Sequence, residues 1–276
     1  MKLMYLGTAA AEGYPALFCT CDRCKTARRL GGKNFRSRSQ AIIDNKIIID
    51  FNADSLYHSK LYNIDFTYYK TLLITHVHED HFVPVEISFR NKGFAMFDDS
   101  VTEKLNVYGS QDIEAPLQKY VKDDGNYGFN INVVNAFEPF VAEGYKITPL
   151  KATHGTANPF IYIIEKDGKA LLYGNDTGVF PEETFDYLKN FSVKLDYVSL
   201  DCTEGTNKIN YSAHMNYERN VLVKERLIEM GVADEKTVFC LNHFSHNGDN
   251  TLYDEMCSVA KKDGFIVSYD GMTVEI

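Results

Sequence analysis

The chain has 276 residues, of which 45% are hydrophobic and 24% are charged, which is enough for a full core in one large domain. Its net charge of −9 argues against a long polyanionic partner, although bound divalent cations would make an acidic site attractive to a small phosphate. No apolar run approaches the ~20 residues of a membrane span. The first residues also lack the apolar core of a signal peptide, so a soluble cytoplasmic protein is expected.

Short apolar runs bounded by polar turns predict strands along the whole chain. They are expected at 2–7, 41–44, 46–51, 71–74, 105–108, 145–150, 160–165, 169–173, 195–200 and 237–241, with two short final strands joined near Asp270-Gly271. Helices are expected at 54–62 (capped by Asp54), 112–121, 182–190, 216–230 and 250–262. Segment 82–104 is not assigned, and its phenylalanines fit either plain core or the wall or lid of a pocket.

One segment concentrates the chemistry. Thr75-His76-Val77-His78-Glu79-Asp80-His81 carries three imidazoles and two carboxylates directly after an apolar strand. His76 and His78 leave the strand on one side, whereas Asp80 and His81 come one turn later and can face the other way. Nitrogen and oxygen ligands in this pattern suit two neighbouring metal ions better than one.

The same pattern, an apolar strand followed by a polar loop with His or Asp, recurs four times. Seven of the eight histidines occur in such loops, and only His58 falls in a predicted helix, where a surface position is expected. A rigid sheet scaffold holds a metal centre with residues from several strand ends. The cysteines add a second signal: Cys19, Cys21 and Cys24 lie within six residues, which favours metal binding over disulfides in a cytoplasmic chain, although free or redox-active thiols are the alternative.

These motifs resemble those of the metallo-β-lactamase superfamily, over nearly the whole length of the chain. Within it, the closest resemblance is to the PhnP-like phosphoribosyl cyclic phosphate phosphodiesterases. The residues that carry it are Thr75 to His81, Thr153-His154, Asp176-Thr177, Asp201-Cys202, Asn242 to His246, Tyr269 to Met272 and the segment from Cys19 to Cys24. The resemblance implies an α/β protein of the four-layer αββα sandwich type, with residues 1–276 forming one hydrolase domain.

The resemblance also implies the ligands. His76, His78 and His154 would hold one divalent ion, Asp80, His81 and His243 the other, and Asp176 would bridge them. Zn, Mn, Fe or Ni would suit such a pair. Cys19, Cys21, Cys24 and His246 would form a closed structural zinc site. A homodimer is implied as well.

The expected reaction is metal-assisted hydrolysis of a small phosphodiester, cyclic esters included, by a hydroxide held between the ions. Asp80 is counted with the catalytic residues. His214 is the candidate general acid, and the alternative is a polar flank of the helix at 216–230. Asp50 is expected to fix the tautomer of a ligand histidine, or else is an ordinary residue at a strand end. Arg36 and Arg38 fit either a phosphate contact or a solvated basic loop.

Three departures from the subgroup lie where the substrate would be selected. Ala9-Ala10 stands where a glycine pair is expected, segment 82–100 is rich in phenylalanine, and the stretch between Asp201 and His214 differs. The alternatives are a tRNA 3′-processing nuclease, for which the acidic charge makes nucleic acid an unfavourable partner, and a thioester, lactone or β-lactam hydrolase. A non-catalytic binding module stabilised by metal is a further alternative, which the intact ligand set disfavours.

Overall fold

The computed structural model describes every residue from Met1 to Ile276. Its centre is a pair of seven-stranded mixed β-sheets. The first sheet contains β1 (Lys2–Gly7), β2 (Gln40–Ile43), β3 (Ile47–Ile49), β4 (Thr71–Leu73), β5 (Leu105–Gly109), β6 (Phe129–Val133) and β14 (Thr273–Glu275). The second contains β7 (Phe140–Ala142), β8 (Tyr145–Lys151), β9 (Phe160–Lys166), β10 (Lys169–Gly174), β11 (Tyr197–Asp201), β12 (Val238–Asn242) and β13 (Phe265–Val267). The strand orders are β14-β1-β2-β3-β4-β5-β6 and β13-β12-β11-β10-β9-β8-β7.

Helices cover the outer faces of both sheets. The α-helices are α1 (Asp22–Leu30), α2 (Ser55–Leu61), α3 (Pro84–Ser88), α4 (Glu114–Gln118), α5 (Glu182–Lys189), α6 (Tyr217–Glu229) and α7 (Tyr253–Ala260). Short 3-10 turns occupy Gly32–Asn34, Phe66–Tyr68, Gln111–Ile113 and Lys261–Asp263. No helix is both long enough and apolar enough to cross a membrane.

The apolar residues of the strands divide between three layers of core. Ile47 and Ile49 of β3 pack between the two sheets, whereas Ile48 packs on the outer face of the first sheet. Successive side chains of a strand point to opposite faces, so a run of isoleucines serves both layers. A third cluster joins the second sheet to α5, α6 and α7, with Phe185 and Leu227 among its buried residues. The result is the predicted four-layer αββα sandwich.

Most predicted elements are present within a few residues of their expected ends. Helix α6 begins after Asn216, whose side chain accepts a hydrogen bond from the N–H of Arg219, and Gly231 follows it with a φ of 73°. The elements that were not predicted are α1, α3, β6 and β7. Because β6 and β7 are edge strands, and β6 alternates with asparagine, their apolar signal is weak. The two final strands exist, but β13 joins the second sheet and β14 the first.

Helix α2 corrects two details. His58 is fully buried, not at the surface: its Nδ1 lies 2.7 Å from Gln40 Oε1 and its Nε2 lies 2.7 Å from Ser37 Oγ. Asp54 precedes the helix, but its carboxylate accepts hydrogen bonds from Arg38 instead of capping the helix. The burial of His58 depends on polar partners from distant segments, which the periodicity of the helix alone does not reveal.

Strand direction brings the polar loops together. In the first sheet β3 and β4 are parallel, and in the second β10, β11 and β12 are parallel. Their carboxyl ends therefore open at the same edge of each sheet, and β8 ends there too because it runs antiparallel to β9, which runs antiparallel to β10. The sequence places its histidines and aspartates after these ends.

Candidate metal centres

Two groups of ligand atoms meet at this edge of the sandwich. His76, His78 and His154 form one group, and Asp80, His81, Asp176 and His243 form the other, with the ligand atoms of each group within 4.8 Å of one another. All seven predicted ligands of a dinuclear site are thus brought together from four separate loops.

The first group is a compact triangle of imidazoles. The Nδ1 of His78 lies 3.0 Å from the Nε2 of His76 and 3.0 Å from the Nε2 of His154. Three ring nitrogens this close together can bind one divalent cation such as zinc.

Asp176 lies between the two groups. Its Oδ2 is 3.4 Å from the Nε2 of His154, 3.8 Å from that of His81 and 3.6 Å from that of His243. In the second group, His81 Nε2 is also 3.3 Å from Asp80 Oδ2. A carboxylate that faces both groups occupies the place of the predicted bridging ligand.

The far side of most ligand rings is held by a polar partner. Each contact involves the Nδ1 of the ring: His76 with Thr75 Oγ1 at 3.0 Å, His81 with Asp50 Oδ2 at 2.7 Å, His154 with the carbonyl of Ala213 at 3.0 Å, and His243 with Thr203 Oγ1 at 2.8 Å. Such partners fix the ring orientation and leave Nε2 free to bind a metal. Asp50 thus lies where the sequence predicted it.

Burial lowers the pKa values of four ligand histidines. The pKa of His154 falls to about 4 and that of His243 to about 3, while those of His76 and His78 are lowered as well. Neutral imidazole is the form that binds metal. Burial also acts to lower the pKa of His81, but the carboxylates of Asp80 and Asp50 outweigh it and raise that pKa.

The surroundings of the buried Asp176 carboxyl also suit a cation. Burial raises its pKa, its Oδ1 lies 2.7 Å from His214 Nδ1, and its Oδ2 faces the ring nitrogens of three predicted ligand histidines without a hydrogen bond to any of them. A buried carboxylate is costly unless it is paired or binds a metal. The donor chemistry of the two groups therefore fits two divalent ions.

Two residues of the site have strained backbones. Asp50 and His243 both follow a strand directly and adopt positive φ angles of 63° and 62°. Residues other than glycine are uncommon in this region, and such strain is concentrated at functional sites.

His214 lies beside the second group and contacts two carboxylates. Its Nδ1 is 3.1 Å from Asp201 Oδ2 and 2.7 Å from Asp176 Oδ1. Burial acts to lower the pKa of His214, but Asp201 and Asp176 outweigh it and raise the pKa to about 11. No partner contacts its Nε2, and the ring lines the cavity above the ligand groups.

A separate group joins the N-terminal segment to the loop after β12, which also carries His243. The sulfur atoms of Cys19, Cys21 and Cys24 and a ring nitrogen of His246 all lie within 4.8 Å of one another. Burial acts to raise the pKa of the Cys21 thiol, but hydrogen bonding with the N–H of Cys24 and with His246 outweighs burial and lowers that pKa to about 6. A Cys₃His set of this kind fits one structural zinc ion.

The cavity above the seven ligands has a volume of about 250 Å³. Arg36 does not reach it: this side chain is buried, donates to Thr8 Oγ1 and the carbonyl of Ser268, and lies 4.3 Å from the ring of Phe244. Arg36 is therefore neither a phosphate contact in this cavity nor part of a solvated basic loop, which were the two interpretations of the sequence. Arg38 is paired with Asp54 and lines a neighbouring cavity of about 760 Å³.

The phenylalanine-rich segment divides between core and surface. Phe82 is buried and lines the neighbouring cavity, whereas Phe89 and Phe94 are exposed and pack against each other with their ring centroids 5.2 Å apart. Phe97 stacks on Tyr127 at 4.4 Å. Only the start of the segment therefore lies near the site.

Sequence reasoning gave no role to four residues of the site. Asp201 is fully buried and holds His214, and Thr203 holds His243, while Glu12 and Glu204 line the cavity. Asp201 ends an apolar strand as the ligands do, so its signal was present in the sequence. Glu12 follows β1 by five residues but carried no such signal, because its place in the cavity depends on its contact with Ser245, in the loop after β12.

Comparison with known proteins supports the fold. Residues 58–232 match the family model described as the beta-lactamase superfamily domain, which is more than half of the chain. No curated protein matches the sequence.

Several solved structures are similar over the whole chain. A crystal structure described as a new diphosphatase from the PhnP family is 19% identical, with 100% of this chain and 97% of that chain covered and a TM-score of 0.75. Zinc-bound PqqB from Methylobacterium extorquens is 16% identical, with both chains covered to 100% and a TM-score of 0.71. The short form of human tRNase Z (ELAC1) is 13% identical, with 100% and 99% covered and a TM-score of 0.67. At these identities the likeness shows the fold alone, which is the one predicted.

Proposed function

This chain belongs to the beta-lactamase superfamily, and from that membership and its ligand geometry we propose that it is a dinuclear metal-dependent phosphodiesterase for small, including cyclic, phosphodiesters. The observation that carries the proposal is the position of Asp176. Its Oδ2 faces both the triangle of His76, His78 and His154 and the group formed by Asp80, His81 and His243.

When bound, two divalent ions would lower the pKa of a water molecule and neutralise charge on a phosphoryl oxygen. The protein's own contribution is to hold the ligands rigidly. Asp50, Thr203 and the carbonyl of Ala213 fix the rings of His81, His243 and His154 from behind. Because these rings are already oriented, little reorganisation is needed when substrate binds.

His214 supplies the proton that a leaving alkoxide needs. Asp201 and Asp176 hold its Nδ1, so the proton on Nε2 is the one available to a leaving oxygen in the cavity. An ester with an alkoxide leaving group gains most from such a proton, and this favours a phosphodiester over an activated thioester.

Other members of the fold act on other substrates, so the reaction class requires a direct test. The purified protein, supplied with Mn²⁺ or Zn²⁺, is given bis-p-nitrophenyl phosphate, nitrocefin and a thioester in parallel. Turnover of the phosphodiester alone is the expected result. Cleavage of only the thioester or only nitrocefin would overturn the proposal.

Elemental analysis of protein purified without added metal tests the number of sites. We expect three ions per chain, two at the dinuclear site and one zinc at the Cys₃His group. A single ion, or none, would contradict this assignment.

A tRNA precursor serves as a further substrate. We expect no cleavage of it because the chain carries a net charge of −9, which repels a long polyanion.

A further inference from the structure

The cavity above the ligand groups carries acidic side chains that the proposed metal sites do not use. Glu12 and Glu204 both line it, together with Tyr211 and Asn247. None of the residues that line it is lysine or arginine. Arg38 lines the neighbouring cavity, which shares His78 and Asp80 with this one, but its guanidinium is paired with Asp54; Arg219 donates to the carbonyls of Tyr211 and His214.

Glu12 is fixed in place by the loop that carries two predicted metal ligands. Its Oε1 accepts hydrogen bonds from Ser245 Oγ and from Asn247 Nδ2, and it lies 3.6 Å from the Nε2 of His246. The Nδ1 of the same His246 ring faces the sulfur atoms of Cys19 and Cys21. The Cys₃His group therefore also positions Glu12, whose Oε2 is left without a hydrogen bond.

Glu204 lines the same cavity and belongs to the segment between β11 and α6 that also carries His214. Tyr211 Oη donates to its Oε1, and Asn207 Nδ2 lies 3.4 Å from its Oε2. Glu204 lies three residues after Asp201, so the strand that holds His214 also places this carboxylate. Two carboxylates are thus held at defined positions around one small cavity.

These two carboxylates favour substrates that carry hydrogen-bond donors over substrates that carry a second negative charge. Carboxylate oxygens accept hydrogen bonds from hydroxyl and ammonium groups, and they repel a second anionic group. A diphosphate or a nucleotide with a terminal phosphate would need cationic partners beyond the metals, and the cavity wall offers none.

On this basis, and resting on the proposed phosphodiesterase function, we propose that Glu12 and Glu204 determine specificity. They select phosphodiesters with a single negative charge whose second alcohol carries hydroxyl or ammonium donors. They act against esters that carry a further anionic group.

A matched series of substrates tests the proposal. Four p-nitrophenyl phosphodiesters share one leaving group and differ only in the second alcohol, which is ethyl, 2-hydroxyethyl, 2-aminoethyl or carboxymethyl. With the metal-loaded protein, and after subtraction of turnover by the metal ion alone, we expect kcat/KM for the 2-hydroxyethyl and 2-aminoethyl esters to exceed that for the ethyl ester, by about 10-fold for the aminoethyl ester and mostly through KM. The carboxymethyl ester is expected to be about 10-fold worse than the ethyl ester.

Glu12→Gln and Glu204→Gln remove the charge and keep the shape. Both variants are expected to lose most of the preference for the donor-bearing esters and to improve the carboxymethyl ester. Glu114→Gln, on the exposed surface of α4, removes one negative charge far from the cavity and should leave the ranking unchanged. The melting temperature of each variant verifies that it is folded.

Binding gives a readout independent of turnover. Calorimetry with 2-aminoethyl and ethyl methylphosphonate should show tighter binding of the aminoethyl ester, and Glu12→Gln should reduce the difference. Equal kcat/KM for all four esters would overturn this inference and leave the phosphodiesterase proposal intact. No turnover of any ester would overturn the phosphodiesterase proposal itself.

Discussion

Single residues decide the orientation of the ligand rings at this site. Asp50 accepts hydrogen bonds from the N–H and the hydroxyl of Thr75, and it also contacts His81. One buried carboxylate thereby fixes both the loop that carries His76 and the ring of a second ligand. The sequence alone suggested this role for Asp50 but could not choose the histidine, because that choice depends on side-chain geometry.

Replacing His214 tests its role as a proton donor. We expect His214→Gln to lower turnover of an alkyl phosphodiester by roughly 100-fold or more, but that of a p-nitrophenyl ester by about 10-fold or less, because p-nitrophenolate leaves without a proton. Rates on both substrates and the metal content of the variant check this. Equal losses on both esters, or loss of metal, would show that His214 has a different role.

His58 predicts a pH effect on stability. Burial lowers its pKa to about 4, so the unfolded chain takes up a proton first as the pH falls below the ordinary value of ~6.5. The stability that a neutral His58 contributes is therefore present above that pH and is lost between about pH 6.5 and 4. The loss is on the order of 3 kcal/mol. Denaturant unfolding of the wild type and His58→Gln across this range should show the variant gaining on the wild type as the pH falls.

Asp270 has the opposite effect, since burial raises its pKa to about 6 and its contribution favours the folded state at lower pH. Because Ser37 Oγ contacts both His58 Nε2 and Asp270 Oδ2, the comparison of wild type with His58→Gln is repeated in the Asp270→Asn background to separate the two contributions. A stability difference that stays constant from pH 6.5 to 4 would contradict the assignment to His58.

At the scale of elements, the site depends on how closely its loops approach one another. Gly178, in the loop that carries Asp176, donates its N–H to the carbonyl of Thr153 beside His154. A Cβ at this glycine would lie 1.6 Å from the carbonyl oxygen of Ser212, in the loop of His214. Three loops therefore meet at one point where only glycine fits.

Gly178→Ala should consequently disturb the site more than the core. Because backbone atoms block the methyl group, the loops must separate, and we expect a loss of at least about 10-fold in phosphodiester turnover with one metal bound more weakly. Gly155→Ala is the matched control, since its Cβ would meet only His78 at 3.7 Å, an ordinary contact. Activity, metal titration and melting temperature compare the two; equal behaviour would contradict the steric argument.

At the scale of the whole molecule, the site joins the two sheets. His76, His78, Asp80 and His81 follow a strand of the first sheet, while His154, Asp176 and His243 follow strands of the second. Metal bound at these residues links both halves of the sandwich. A homodimer and a cytoplasmic location remain predictions from the sequence.

Metal binding should therefore stabilise the entire fold. Metal-stripped protein is expected to melt at a higher temperature as Zn²⁺ or Mn²⁺ is added, because an ion that binds only the folded state stabilises it by ~4 kcal/mol at 1,000 times its Kd. Asp176→Asn, which removes the carboxylate proposed to bridge the two ions, should show a smaller rise. A melting temperature independent of metal in both proteins would contradict a site shared by the two sheets.

The sequence by itself predicted most of the elements, the family and the candidate ligand residues. Short apolar runs followed by His or Asp are local signals, so His76, His154 and Asp176 could be proposed as metal ligands without coordinates. Only the tertiary structure decided which groups line the cavity above the predicted ligands. Glu12, Thr203 and the buried His58 owe their roles to contacts between segments far apart in the chain, and such contacts exist only once both sheets have packed.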